Sequence, residues 1–230
     1  MNDTADYTPD PKVLQGLQSV SLAAVVGPTA VGKSTLISAA MKLNPDIHLV
    51  LNNTSRAPRP GEQEGVDYAF HTREEMLEIM ERREFVQVAP SLLDEIYATK
   101  LDSYATDGVA VMAVLAQAMP DFRALPFKVV RSVFIVPPDY ETWQQRIAQH
   151  GFTPEQLKKR LAEAVDSLEF ALHDDPTYII VNEDLATAAE DFVTLALGRE
   201  LSPRLQADQT RAREIVQQLL NRLRADLQTL

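Results

Sequence analysis

The sequence predicts an α/β fold in which a parallel sheet is covered by helices on both faces. Three observations lead there. Short apolar runs without polar alternation, at residues 22–26, 109–115 and 129–136, have the composition of strands buried on both faces. These runs alternate with segments of helical periodicity, the order that builds a parallel sheet. The first run also breaks at Gly27-Pro28 into Gly27-Pro28-Thr29-Ala30-Val31-Gly32-Lys33-Ser34, which matches G-x-x-x-x-G-K-[ST] at every fixed position.

That loop lies between a strand and a helix start, as its chemistry requires. A polyphosphate is a dense anion, and successive backbone N–H groups leading into a helix N-terminus point at it. Gly27 and Gly32 allow a close backbone approach that a Cβ would block. Lys33 is placed to reach the terminal phosphates, and the Ser34 hydroxyl to coordinate Mg²⁺. Thr35 is read as a first-turn helix residue rather than a second metal ligand. The helix stops near Leu43, before Asn44-Pro45.

The other elements follow in order. Residues 1–12 read as a disordered lead-in and 12–20 as a short helix or extended segment. Residues 47–51 read as a second strand. In residues 52–65, NNTSRAPRPGEQEG, proline and glycine argue against a long helix or a central strand. Taken alone, Arg56 and Arg59 there are solvated turn arginines; the alternative is a paired clamp for a second anion, since guanidinium binds phosphate bidentately. Residues 66–70 are β-like, and Thr72-Arg73-Glu74-Glu75 is a capping box opening a helix to about Arg82. Residues 84–89 alternate toward a strand, 90–99 hold an irregular loop, and 100–106 favour a helix. Residues 52–106 together form a small mixed insertion in the main sheet.

Beyond the 109–115 run, residues 116–123 are helical, and Pro137-Pro138 closes the 129–136 strand. Residues 139–150 form a helix with Trp143 and Ile147 on one face. Gly151 interrupts, and Thr153-Pro154-Glu155-Gln156 starts the next helix with Thr153 as cap. Its apolar stripe is Leu157, Leu161, Val165, Leu168 and Leu172, with Arg160 beside it. Residues 178–181 make a last strand and 184–197 a helix. After Ser202-Pro203, residues 208–230 form an amphipathic helix with Val216, Leu220, Leu223 and Leu227 on one side. That stripe is too short for a coiled coil, so the helix is expected to pack on its own domain.

Composition narrows the function. Of 230 residues 45% are hydrophobic, enough for a sizeable core, and the net charge of −11 argues against an extended nucleic-acid surface. There are no cysteines, which excludes disulfides, thiolate metal sites and cysteine nucleophiles. The polar first residues are unlike a secretory signal, and no apolar run reaches membrane-spanning length. A soluble cytoplasmic protein is expected.

Several stretches together carry a family resemblance. They are GPTAVGKSTL at the loop, TSRAPRPGEQEGVDYAF at residues 54–70, EFVQ at 84–87, IYAT at 96–99, FIVPP at 134–138 and VNEDL at 181–185. Over about residues 22–192 the chain resembles guanylate kinases; the second stretch is the most specific. The resemblance implies a P-loop NTPase fold spanning residues 21–200, flanked by a 1–20 extension and a 201–230 helix. It implies an insert at about 52–106 that closes over a nucleoside monophosphate and a lid at about 147–157 over ATP. The implied reaction moves the γ-phosphoryl of ATP, as its Mg²⁺ complex, onto the monophosphate, in a monomer or homodimer that binds neither nucleic acid nor membrane. Gly27, Pro28, Thr29, Ala30, Val31, Gly32, Lys33, Ser34, Thr35 and Asn182 are then the ATP set. Arg56, Arg59, Tyr68 and Tyr97 hold the acceptor phosphate. Lys33, Arg146 and Arg160 stabilise charge on the moving phosphoryl.

The chain departs from the family pattern where the base is read. Asn52 stands at the family's serine, Gln87 at its glutamate, and Ala113 and Leu115 at its acidic residues. Thr99 keeps the family's hydroxyl, and His150 replaces a lid arginine. A carboxamide at Gln87 offers one donor and one acceptor, so guanine selectivity is open, with Asp94 or Asp102 as substitutes. Two other readings stay open: a non-catalytic guanylate kinase-like binding module, and a kinase for another small phosphate ester such as a ribosyl bisphosphate.

Overall fold

The computed structural model describes residues 7–58, 61–90 and 95–228. In chain order the elements are α1 (Pro11–Leu17), β1 (Ser21–Val26), α2 (Lys33–Leu43), β2 (Ile47–Leu49), β3 (Asn52–Thr54), β4 (Tyr68–Phe70), α3 (Arg73–Glu81), β5 (Phe85–Pro90) and β6 (Ile96–Lys100). They continue with β7 (Val109–Ala113), α4 (Met119–Ala124), β8 (Val129–Val136), α5 (Tyr140–Ala148), α6 (Pro154–His173), β9 (Tyr178–Val181), α7 (Leu185–Ala196) and α8 (Pro203–Leu227). A five-stranded parallel sheet runs β2-β7-β1-β8-β9, and a four-stranded sheet runs β4-β3-β6-β5. The α/β class with a helix-flanked parallel sheet is as the sequence predicts.

The chain divides into two compact units. One, the loop unit, comprises residues 23–47, 113–119 and 131–230; the other, the small-sheet unit, comprises residues 1–22, 48–112 and 120–130. In the loop unit β8 and β9 pair in parallel, Val133 opposite Tyr178 through Val136 opposite Val181. Helix α2 packs on α7, and α8 packs on α6 and β9. Leu205, Ala212, Val216, Leu219, Leu220 and Leu223 are buried along α8. The edge strand β9 is covered too. The Gln209 carboxamide accepts from the Ile179 N–H and donates to the Ile179 carbonyl, both at 2.9 Å, as a neighbouring strand would. The C-terminal helix therefore packs on its own chain.

In the small-sheet unit, residues on one face of β5 and β6 pack on α3. Phe85, Val88, Ile96 and Ala98 join Met76, Ile79 and Met80 in one apolar cluster. Thr72 and Glu75 close the expected capping box at the start of α3.

Several local expectations are corrected. Residues 7–12, expected to be disordered, are ordered: Asp10 caps α1, and its N–H donates to Arg83 O at 2.9 Å. Residues 52–54 form β3, an interior strand, because Pro58 and Pro60 come after its last ladder residue rather than within it. Residues 96–100 are a full strand rather than part of a loop, paired with both β3 and β5. The expected helix at 100–106 is a single 3-10 turn, Leu101–Ser103. The helix α8 also begins at Pro203, capped by the Ser202 side chain, earlier than its apolar stripe implied. The irregular loop and Asp94, expected within 90–99, fall at residues 91–94, outside the described residues, as does Arg59.

Candidate active site

In the loop unit the site is built on the turn between β1 and α2. Gly27 adopts φ +149, and a Cβ there would sit 2.4 Å from the Ile135 carbonyl oxygen. Gly32 caps α2 at φ +93, where a Cβ would meet the Asn182 Nδ2 at 2.6 Å. Neither position admits another L-residue without displacement. Ala30 also takes a left-handed φ of 63, a conformation that costs an ordinary residue about 1–2 kcal/mol and marks stored strain.

The loop carbonyls are held by side chains. Lys33 Nζ donates to the Gly27 and Pro28 carbonyls, each at 2.7 Å. Trp143 Nε1 donates to Thr29 O at 2.9 Å, and Asn182 Nδ2 donates to Val31 O at 2.9 Å. Arg146 reaches Val31 O at 3.4 Å and Asn182 O at 3.0 Å. With the carbonyls engaged, the loop's N–H groups and the N-terminus of α2 are the part left for an anion.

Burial pulls the Lys33 pKa down to about 8, with the Arg160 charge adding to the shift and Glu163 opposing it. Arg160 pairs with Glu163 at 2.9 Å. The Arg160 charge acts on Lys33, which puts the two cations in one neighbourhood. Arg146 and Asn182 also reach the loop, with donors engaged on the Val31 carbonyl and, for Arg146, on that of Asn182. Ser34 and Thr35 stand exposed in the first turn of α2. Ala113 and Leu115 are exposed at the end of β7, and Gln117 donates to Asp166 of α6 at 3.2 Å.

The small-sheet unit brings the other predicted residues together. Pairing sets Asn52 opposite Tyr68 on one side and Thr99 on the other, and Thr99 opposite Gln87. Directly paired residues share a face, so Tyr68, Asn52, Thr99 and Gln87 form one cross-strand row. The next row on that face is Phe70, Thr54, Tyr97 and Ala89. This polar and aromatic face is the one turned away from the α3 cluster. Thr99 is buried, its hydroxyl hydrogen-bonded to the Tyr104 hydroxyl at 2.8 Å.

Arg56 follows β3 and is nearly buried, its side chain 7% exposed. Its Nη1 and Nη2 donate to the two carboxylate oxygens of Glu62, both at 2.9 Å. Nη1 also donates to Ala57 O at 2.8 Å, and Nε to the Tyr97 hydroxyl at 3.3 Å. The guanidinium carbon lies 5.2 Å from the Tyr68 ring centre and 5.7 Å from that of Phe70. Burial pulls its pKa down, but the bonds from Glu62 and Tyr97 outweigh it and hold the group above its ordinary value. Tyr97 is itself raised, chiefly by burial.

The sequence reading missed Glu62 and Trp143. Glu62 lies in the most specific stretch, six positions after Arg56, and an acid that close to a clamp arginine is a signal. Trp143 lies one helical turn before Arg146, so both reach the loop from one face of α5.

Comparison with known proteins decides the family. Residues 20–196 match the guanylate kinase family model. The chain belongs to the guanylate kinase family. It is 31% identical to a guanylate kinase of Pseudomonas fluorescens over 201 residues, 85% of this chain and 95% of that one. It is 35% identical to one of Symbiobacterium thermophilum over 190 residues, 78% of this chain and 85% of that one. The crystal structure of guanylate kinase from Anaplasma phagocytophilum shares the fold, with a TM-score of 0.52 at 24% identity, covering 83% of this chain and 86% of that one. Among the described residues no helix of this guanylate kinase family member is long and apolar enough to cross a membrane.

Proposed function

We propose that the chain is an ATP-dependent nucleoside monophosphate kinase that converts GMP and ATP into GDP and ADP. The observation that carries this is the intact loop. Gly27 and Gly32 hold backbone conformations in which a Cβ would clash, and Lys33 and Ser34 open α2, in a chain aligned with named guanylate kinases over most of its length. A binding module that had lost catalysis would have no need to retain a braced loop with a lysine at its helix start.

In this reading the backbone of residues 27–35 cradles the ATP phosphates. An oxygen of the acceptor phosphate attacks the γ-phosphorus, the bond to the β–γ bridging oxygen breaks, and ADP leaves with the electron pair. Lys33 and Arg160 offset the charge that builds on the transferred group. Arg146 and Asn182 act by bracing Val31 and the chain after β9, which keeps the loop's N–H groups aimed. Arg56 and Arg59 take the acceptor phosphate with Tyr68 and Tyr97, and the row of Asn52, Thr99 and Gln87 meets the base.

Mg²⁺ fits the residues present. Ser34 offers an exposed hydroxyl oxygen, and Mg²⁺ in such sites takes one or two protein oxygens and fills its shell with phosphate oxygens and water. Among the described residues no group of three His, Cys, Asp or Glu could hold a metal without a nucleotide. When bound, Mg²⁺ neutralises charge on the β- and γ-phosphates.

The test is a coupled assay of ADP formation with ATP, Mg²⁺ and, in turn, GMP, AMP, UMP, CMP and dTMP. Turnover with GMP is expected. No turnover with any acceptor would remove the kinase reading. Turnover with another nucleotide in preference to GMP would keep the kinase and change its substrate, an outcome the carboxamides of Asn52 and Gln87 make worth measuring.

A further inference from the structure

We propose that Glu62 is a positioning residue: it holds Arg56 end-on so that the Nε/Nη2 edge of the guanidinium is the edge that takes the acceptor phosphate. The proposal rests on the reading of Arg56 as a phosphate-binding group.

The hydrogen-bond count leads to this edge. A guanidinium carries five N–H donors in one plane. At Arg56 both Nη1 donors are engaged, one by Glu62 Oε2 and one by Ala57 O. One Nη2 donor is engaged by Glu62 Oε1. The Nε donor meets the Tyr97 hydroxyl at 3.3 Å, the longest of the set. Among the described residues the second Nη2 donor meets no acceptor. The two weakest commitments, Nε–H and this Nη2–H, lie side by side on one edge, the spacing a phosphate bridges with two oxygens. The Tyr97 hydroxyl stands at that edge, and its proton is now given to Glu95 Oε2 at 3.1 Å. The rings of Tyr68 and Phe70 lie near the guanidinium carbon. Held at its end by Glu62, the group is pre-set for a ligand approaching along one line.

The competing possibility is that Glu62 occupies the place of the phosphate and must leave when the acceptor binds. The two make opposite predictions for Glu62→Gln. If Glu62 positions Arg56, losing one of the two charge-assisted bonds loosens the fork. The KM for GMP then rises about tenfold while kcat and the KM for ATP change less than twofold. Glu62→Asp keeps the charge on a shorter arm and falls between the two. A lowered or unchanged KM for GMP in Glu62→Gln overturns the proposal.

A readout on the unaltered protein guards against a variant that does not fold. The Arg56 Nε–H resonance, assigned by its loss in Arg56→Lys, shifts on titration with GMP if the Nε/Nη2 edge takes the phosphate. If it stays fixed while the Nη resonances move, Glu62 has been displaced and the proposal fails. The same titration with inorganic phosphate reads the edge without reference to turnover. Absence of kinase activity across the acceptor panel would therefore remove the function proposed above without deciding this point.

Discussion

In the proposed function, the phosphate loop and the small sheet recognise anions by different means. In the loop the binding groups are backbone N–H groups, and side chains from α2, α5 and the end of β9 hold the opposite, carbonyl side of the same peptides. In the small-sheet unit the groups are side chains, those of two cross-strand rows and Arg56 just after β3, which Glu62 and Tyr97 hold. The difference separates geometry from identity. A backbone cradle tolerates changes at its non-glycine positions provided the chain keeps its path. A side-chain row changes what it reads when one residue changes.

The largest expected effect lies in the loop, where one side chain supplies charge as well as support. Lys33→Ala is expected to lower kcat by about 10³-fold, the scale of losing one donor to developing charge. The fold should survive, because among the described residues Lys33 bonds only to the carbonyls of its own loop. Single-turnover kinetics with saturating ATP would check this. A loss under tenfold would mean that the backbone alone does the work of the loop.

The corresponding change in the small sheet should alter preference rather than rate. Gln87→Glu replaces a carboxamide in the row with a carboxylate, which can only accept from a base. Guanine offers donors at N1 and N2, and a well-matched buried polar pair is worth about 1–3 kcal/mol. The ratio of kcat/KM for GMP over AMP is therefore expected to rise about tenfold or more. An unchanged ratio would show that the row does not meet the base.

A smaller effect belongs to the braces. Trp143→Phe keeps the buried ring and removes the bond to Thr29 O, leaving a loop carbonyl without its donor. The cost of one such bond is about 1 kcal/mol, so the KM for ATP should rise about fivefold and the KM for GMP should stay put. A matching rise in both would contradict the division between loop and sheet.

How much of this was legible in the sequence follows the same division. The loop was readable because four fixed positions, Gly27, Gly32, Lys33 and Ser34, carry it, and the apolar runs have the composition of strands buried on two faces. The strand boundaries of β3 and β6 were not readable. Asn52-Asn53-Thr54 has low strand propensity and precedes prolines, and its pairing is set by residues about 16 positions later on one side and about 45 on the other. The roles of Arg146 and Asn182 were obscured for a related reason. A cation beside a phosphate loop suits a ligand and a backbone carbonyl equally well, and only the fold shows that the carbonyls of Val31 and Asn182 lie within its reach.

The smallest effect is a pH dependence confined to the loop. Burial and Arg160 lower the Lys33 pKa to about 8, so in the free protein its ammonium is fully charged well below pH 8 and is lost as pH rises through it. A bound triphosphate favours the ammonium and raises that pKa, so binding above pH 8 takes up a proton. ATP affinity is then constant below about pH 7 and weakens as pH climbs past 8, by a few-fold at pH 8.5. The KM for GMP carries no contribution from this group. Calorimetry of ATP binding at pH 8.5 in two buffers of different ionisation enthalpy measures the proton directly. Uptake of a fraction of a proton is expected, rising with pH; release would reverse the sign and place the titrating group somewhere other than Lys33. Asn182→Ala removes a bond to Val31 O without touching the ammonium, so it should weaken ATP binding equally at pH 7 and pH 8.5. A loss that grows with pH in that variant would mean that brace and charge are coupled, and that the loop is less separable from its lysine than the hydrogen bonds imply.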